Sequence, residues 1–171
     1  MGSPSEELDS ARLQAIAASD RPLAPHECAE RARRAAALID PGRLDRSGPG
    51  AAVLLWRDGH SEAWLNLWWQ PRDTGYHDHT GSCVGVCVIE GRAWNEPLTI
   101  GEPPEAREYG PGETFWFPGE GIHRMDHQAG AVHPCLLAAD PGDRPLRPPR
   151  RPAAPYPRPA RSAVPSERRP I

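Results

Sequence analysis

Lysine is missing from this chain altogether: all 20 of its basic residues are arginine. Schiff-base chemistry through a lysine amine is therefore excluded, and all-arginine usage fits a GC-rich coding sequence better than a function. Long apolar runs are missing too. No segment approaches the roughly 18 consecutive apolar residues that a membrane-spanning helix needs. The opening MGSPSEELDS is acidic and lacks the apolar stretch of a secretory signal. A cytoplasmic protein is expected, with Cys28, Cys83, Cys87 and Cys135 as reduced thiols. Basic charge is scarce outside the C-terminus. Residues 141–171 hold eight arginines against Asp143 and Glu167, so the overall charge of −3 leaves about nine negative charges on residues 1–140. An acidic body lacks the basic face of a nucleic-acid-binding domain.

At 171 residues the chain is long enough for one domain with a real core. Three segments differ in character. Residues 1–45 read as helical and are expected to pack on the strand-rich segment C-terminal to them. A first helix is expected over 3–19, where Ser3, Pro4 and Glu6 form a capping pattern ahead of Leu8, Leu13 and Ile16. A second is expected from Pro25 to Ile39, with Cys28, Ala32, Ala35 and Ala36 inward and arginines outward. Residues 46–140 then carry short apolar runs between Gly, Pro and Asp signals: AAVLLWR, EAWLNLWW, SCVGVCVIEG, RAWNEPLTIG, ETFWFPG and IHRMDHQ. Many short strands with frequent turns indicate an antiparallel sandwich or barrel. Residues 141–171 contain ten prolines beside the eight arginines, a composition that cannot bury enough apolar surface to order itself. A disordered tail is expected there.

The stretch TGYHDHTGSCVGVCVIEG, residues 74–91, sets His77 and His79 one residue apart. In a strand, residues i and i+2 point the same way, so two imidazoles in this spacing can present nitrogens to one point. Taken alone the pair reads more readily as polar surface than as a metal site. Downstream, YGPGETFWFPGEGIHRMDHQ places Gly112, Pro118 and His123 in a regular spacing.

The two stretches together resemble the paired motifs of the cupin superfamily, with Gly75, His77, His79 and Gly91 in the first and Gly112, Pro118 and His123 in the second. The resemblance implies an all-β fold, a cupin-type double-stranded β-helix or jelly-roll barrel with N-terminal α-helices, in which the motifs face each other. Most cupins add a carboxylate four or five residues after the second histidine; Cys83 and Val84 stand there instead. In that respect the chain resembles the cysteine dioxygenase-like family of thiol dioxygenases, over roughly residues 50–130. By this resemblance His77, His79 and His123 bind Fe(II), and a small thiol such as cysteine reacts with dioxygen to give a sulfinic acid. Neutral imidazole ligands leave the metal its full charge, which favours a substrate thiolate. Imidazole suits zinc as well as iron. Other metal-dependent cupin chemistry, such as a non-thiol dioxygenase or an isomerase, and a non-catalytic metal-binding cupin are the alternatives. A monomer is expected, with no nucleic-acid or membrane partner.

Several of that family's residues are absent. The substrate-carboxylate arginine would fall near Ala52 or Val53, and Arg57 is the nearest substitute. The crosslinking cysteine would fall at Val84, one residue from Cys83, and a one-residue slip in a strand reverses its facing. VHPCLLAADPG replaces the serine, histidine and tyrosine of the last strand. His127 shares the strand parity of His123 and is a candidate for supporting hydrogen bonds. Trp64, together with Trp68, Trp94 and Trp116, is a candidate wall for an apolar substrate pocket.

Overall fold

A computed structural model of the chain describes residues 10–47 and 50–138. Within them the strands are β1 (Ala51–Arg57), β2 (Ser61–Trp68), β3 (Arg72–Asp73), β4 (Cys83–Cys87), β5 (Ala93–Pro97), β6 (Arg107–Tyr109), β7 (Thr114–Phe117), β8 (His123–His127) and β9 (Ala131–Ala138). They form two antiparallel sheets, a five-stranded one in the order β1-β2-β9-β4-β7 and a four-stranded one in the order β3-β8-β5-β6. Two helices, α1 (Ser10–Ala17) and α2 (Pro25–Ala36), precede them. The architecture is the expected cupin-type β-barrel with N-terminal helices.

Alternation along the strands divides the core in two. Ala63, Leu65 and Leu67 of β2 and Val132, Leu136 and Ala138 of β9 lie on the outer side of the larger sheet. There they pack against Leu13, Ile16, Cys28, Ala32 and Ala35 of the helices. Leu65 and Leu136 are 1% and 0% exposed, and each such side chain contributes about 2 kcal/mol when removed from water. The intervening positions point into the barrel, where Val84, Val86, Phe115 and Phe117 meet Ala93, Tyr109 and Met125 of the smaller sheet. A helix on one side and a second sheet on the other bury both faces, so β4 reads as a continuous apolar run.

α2 sits unusually close to its sheet. A Cβ placed on Gly85 would lie 2.1 Å from the Ala29 backbone nitrogen and 2.2 Å from the Cys28 carbonyl carbon. Only glycine lets the helix backbone approach β4 this closely. The helix starts at Pro25, with the Glu27 side chain accepting the Ala24 backbone N–H at 2.8 Å. Arg21 also grips Glu27, and these bonds hold its carboxyl down to about 2.

Several expectations need correction. α2 ends at Ala36, with Ala37 as its cap, because Ala37–Ile39 turn away to insert Ile39 into the outer core. The first helix begins, within the described residues, at Ser10 and stops at Ala17. The capping pattern at Ser3, Pro4 and Glu6 and the segment 141–171 lie outside the described residues. β3, β6 and the full length of β9 had no clear periodic signal. β9 carries Pro134 in mid-strand, and the pairing of β9 with both β2 and β4 supplies the register that the local sequence does not. No helix among the described residues is long and apolar enough to cross a membrane.

Candidate metal centre

His77 and His79 do not sit on a regular strand, as their spacing had suggested. His77 forms an isolated antiparallel bridge with His123, its N–H donating to the His123 carbonyl at 2.9 Å and its carbonyl accepting the His123 N–H at 3.0 Å. That bridge carries the edge of the smaller sheet past β3 and sets His77 directly beside the first residue of β8. His79 lies in the connection to β4, where Ser82 N–H closes a turn on its carbonyl at 3.1 Å. The turn is held from the other side by Gly119. A Cβ there would fall 2.2 Å from the Gly81 carbonyl, so the loop after β7 can press directly on the loop after His79.

The result is convergence. One ring nitrogen from each of His77, His79 and His123 lies within 4.8 Å of the others, and among the described residues this is the group of histidine, cysteine or acidic side chains that could hold a metal. The Nε2 atoms of His79 and His123 are 3.2 Å apart. With metal–nitrogen bonds of about 2.1 Å, that spacing corresponds to an angle of roughly 100° at a shared cation, compatible with adjacent ligands. His123 is 2% exposed, whereas the other two are half-buried, so the cluster opens to one side.

Protonation suits metal binding. Burial, followed by the neighbouring His77 ring, pushes His79 down to about 4. Burial, followed by the His77 and His79 rings, pushes His123 down to about 3. Both imidazoles are therefore neutral at pH 7. His123 Nδ1 lies 2.7 Å from Asn95 Oδ1, and His77 Nδ1 lies 3.0 Å from the Gly75 carbonyl oxygen. These oxygens accept, so each ring carries a proton on Nδ1, and the Nε2 lone pair of the neutral His123 ring faces Nε2 of His79. A cation bound there would take the place of the hydrogen bond between the His79 and His123 Nε2 atoms and accept both lone pairs. The residues therefore fit a divalent transition metal. Phe117, its ring centroid 3.8 Å from that of His123 and 5.3 Å from that of His79, forms an apolar wall beside them.

The other candidates are placed elsewhere. Cys83 faces away from the centre: its thiol donates to the Leu23 carbonyl at 3.3 Å and lies 3.4 Å from the Cys28 sulfur, under α2. The inward position is Val84, as the one-residue slip implied. Arg57 crosses the β1–β2 hairpin to Glu62, with Nε 2.8 Å from a carboxylate oxygen that is almost fully buried. It is held there rather than offered to a substrate. Trp94 and Trp116 are on outward-facing positions, paired with Asp126 and Gly85 respectively, and do not line the interior. Trp64 points inward from β2 opposite Cys135, and its Nε1 is buried without a hydrogen-bond partner among the described residues.

His127 is inward and buried, as its parity with His123 implied, but it belongs to a second cluster. Its Nε2 lies 2.9 Å from His133 Nε2, the two rings stack at 12°, and Trp68 Nε1 donates to His133 Nε2 at 3.2 Å. Burial, partly offset by a hydrogen bond to the Arg72 backbone, lowers His127 to about 4. Burial, followed by the adjacent His127, lowers His133 well below its ordinary value. Arg72, opposite His127, lays its guanidinium 4.5 Å over the Trp68 ring. Asn95 and Arg72 are the functional candidates that local sequence did not mark, while His133, in sequence only a displaced stand-in for the missing last-strand histidine, proves to be the partner of His127. Asn95 and His133 are polar positions within largely apolar strands, and Arg72 lies on a two-residue charged strand; the facing of all three is visible only once register is known.

No protein-family model matches the sequence, and no curated protein sequence matches it. Solved structures of similar shape exist. A cupin superfamily protein from Desulfitobacterium hafniense is 15% identical over 72% of this chain and 94% of its own, with a TM-score of 0.47. KdgF from Halomonas sp. is 15% identical over 58% of this chain and 86% of its own, with a TM-score of 0.47. Oxalate decarboxylase of Bacillus subtilis, described with Mn(II) centres, is 15% identical over 50% of this chain and 22% of its own, with a TM-score of 0.43. These neighbours are cupin superfamily proteins. The cupin-type fold of this chain is read from its own sheets and strand order.

Proposed function

We propose that the protein is an Fe(II)-dependent thiol dioxygenase of the cysteine dioxygenase-like type, converting a small thiol to its sulfinic acid. The observation that carries this reading is a ligand set of three imidazoles, His77, His79 and His123, with no carboxylate among them. His77, His79 and His123 would hold iron(II), which when bound would supply the site where a thiolate and dioxygen react to a sulfinate.

The chain's own contribution is placement and charge. Asn95 and the Gly75 carbonyl fix two of the rings through their Nδ1 protons, which keeps the Nε2 lone pairs aimed at one point. Burial keeps His79 and His123 deprotonated at neutral pH, so no proton competes for those nitrogens. Phe117, Val84 and Val86 make the adjoining interior apolar and limit water on that side. Arg57 is committed to Glu62, so the hairpin provides no guanidinium for a substrate carboxylate. A thiol without a carboxylate is therefore the better substrate. The protein is read as a cytoplasmic monomer.

The test is oxygen consumption by anaerobically purified, iron-loaded protein given cysteine, 3-mercaptopropionate or cysteamine, with the product analysed by mass. Thiol-dependent uptake yielding a product two oxygen atoms heavier, fastest with cysteamine and lost in His123→Ala, is the expected result. Uptake only with non-thiol substrates, or none with any thiol at full iron occupancy, contradicts the proposal.

A further inference from the structure

Two thiols far apart in sequence meet outside the barrel interior. Cys28 lies on the buried face of α2 and is 0% exposed, while Cys83 opens β4 and is half-buried. Their sulfur atoms are 3.4 Å apart, and both cysteines are reduced. The contact is enforced by the backbone. Gly85, two residues along the same face of β4, lets the Cys28–Ala29 backbone come within van der Waals contact of the strand. The spacing between helix and strand beside the thiols is thus set by main-chain packing rather than by flexible side chains. Cys87, the next cysteine on that face, packs into the outer core without a thiol partner of this kind.

We propose that Cys28 and Cys83 are a redox-modification site, closing a reversible intramolecular disulfide when the protein meets a peroxide. Cys83, the more exposed sulfur, is oxidised first: its thiol gives up two electrons to the peroxide, yielding a sulfenic acid and, from hydrogen peroxide, one water. The Cys28 sulfur then attacks the sulfenic sulfur, forming the S–S bond and releasing a second water, so two thiols and one peroxide become one disulfide and two waters. Closure requires the sulfurs to approach from 3.4 Å to about 2.05 Å. Rotation about the two Cα–Cβ bonds and a small shift of the half-buried end of β4 provide that movement. The bond ties α2 to the start of β4, directly after the turn that carries His79. It protects Cys83 from sulfinic and sulfonic acid formation, which a dithiol cannot reverse. This inference is independent of what the histidine cluster binds.

The experiment treats the purified full-length protein with one equivalent of hydrogen peroxide, and in a parallel arm with diamide, which oxidises thiols to disulfides without peroxide. Remaining thiols are alkylated and peptides are mapped without reduction. The expected result in both arms is loss of two of the four thiols and a crosslinked peptide pair holding Cys28 and Cys83, two hydrogens lighter than its reduced form. A dithiol restores the starting state. The oxidised monomer melts higher, by roughly 5–10 °C for a loop of this length. Cys83→Ser abolishes the crosslink and the shift, while Cys87→Ala retains both. Sulfinic acid on Cys83 with Cys28 still alkylatable, or crosslinks only between chains, overturns the proposal. So does a diamide-treated sample whose four thiols all remain.

Discussion

Acid should destabilise this protein partly through histidines that play no part in the candidate metal centre, in addition to His79 and His123, which burial also holds low. His127 and His133 are each 2% exposed, stacked with Nε2 atoms 2.9 Å apart. Burial holds His127 at about 4 and His133 well below its ordinary value. In the unfolded chain both return to an ordinary value near 6.5. The unfolded state therefore binds more protons as pH falls, and stability present above about pH 6.5 is lost progressively down to the folded-state values. Between pH 7 and pH 5 the loss depends almost entirely on the unfolded value, because neither ring protonates in the folded barrel over that window. It comes to about 2 kcal/mol per histidine, or about 4 kcal/mol for the pair, set against a typical total of about 5–15 kcal/mol. Urea unfolding of metal-free protein at pH 7, 6 and 5 gives the slope directly. A His127→Gln, His133→Gln double variant starts from a different stability, yet its loss over the same interval should be smaller than wild type by about 4 kcal/mol. An unchanged slope in the double variant, or resonances of the two rings titrating near pH 6.5, would refute the reasoning.

Other expectations concern single contacts. Asn95→Ala removes the acceptor that holds the His123 ring, and should weaken metal binding about 10–100-fold, measured by competition with a chelator. Gly85→Ala forces a methyl into the α2 backbone and should cost about 3 kcal/mol or more in denaturant unfolding, with wild-type stability contradicting the packing described. Trp64→Phe deletes a buried N–H that has no partner and should leave stability unchanged or raise it by about 1 kcal/mol, despite the loss of ring volume.

Much of the site could be read from short-range pattern. The spacing of His77 and His79 marks them as a pair, although the regular strand it suggests is absent, and the resemblance of the two motifs adds Gly112, Pro118 and His123. The barrel likewise emerges from short apolar runs punctuated by turn residues. What escaped has a common cause. The inward facing of Asn95, His133 and Arg72 depends on strand pairings between β5 and β8, β2 and β9, and β3 and β8, which no local window contains. Trp94 and Trp116 were candidates for the interior because tryptophan suits a core, yet parity against Ala93, Asn95, Phe115 and Phe117 sends both outward. Arg57 looked available until its position opposite Glu62 in the hairpin became known. Cys83 met Cys28 only because a glycine lets a helix lie against a strand.

The central claim is that His77, His79 and His123 act as one ligand set. Anaerobic Fe(II) titration of metal-free wild type and His123→Ala, followed by metal analysis after desalting, tests it most directly. About one iron should be retained per wild-type chain and essentially none in the variant, with circular dichroism showing both barrels folded. Equal iron retention by the two folded proteins would contradict it.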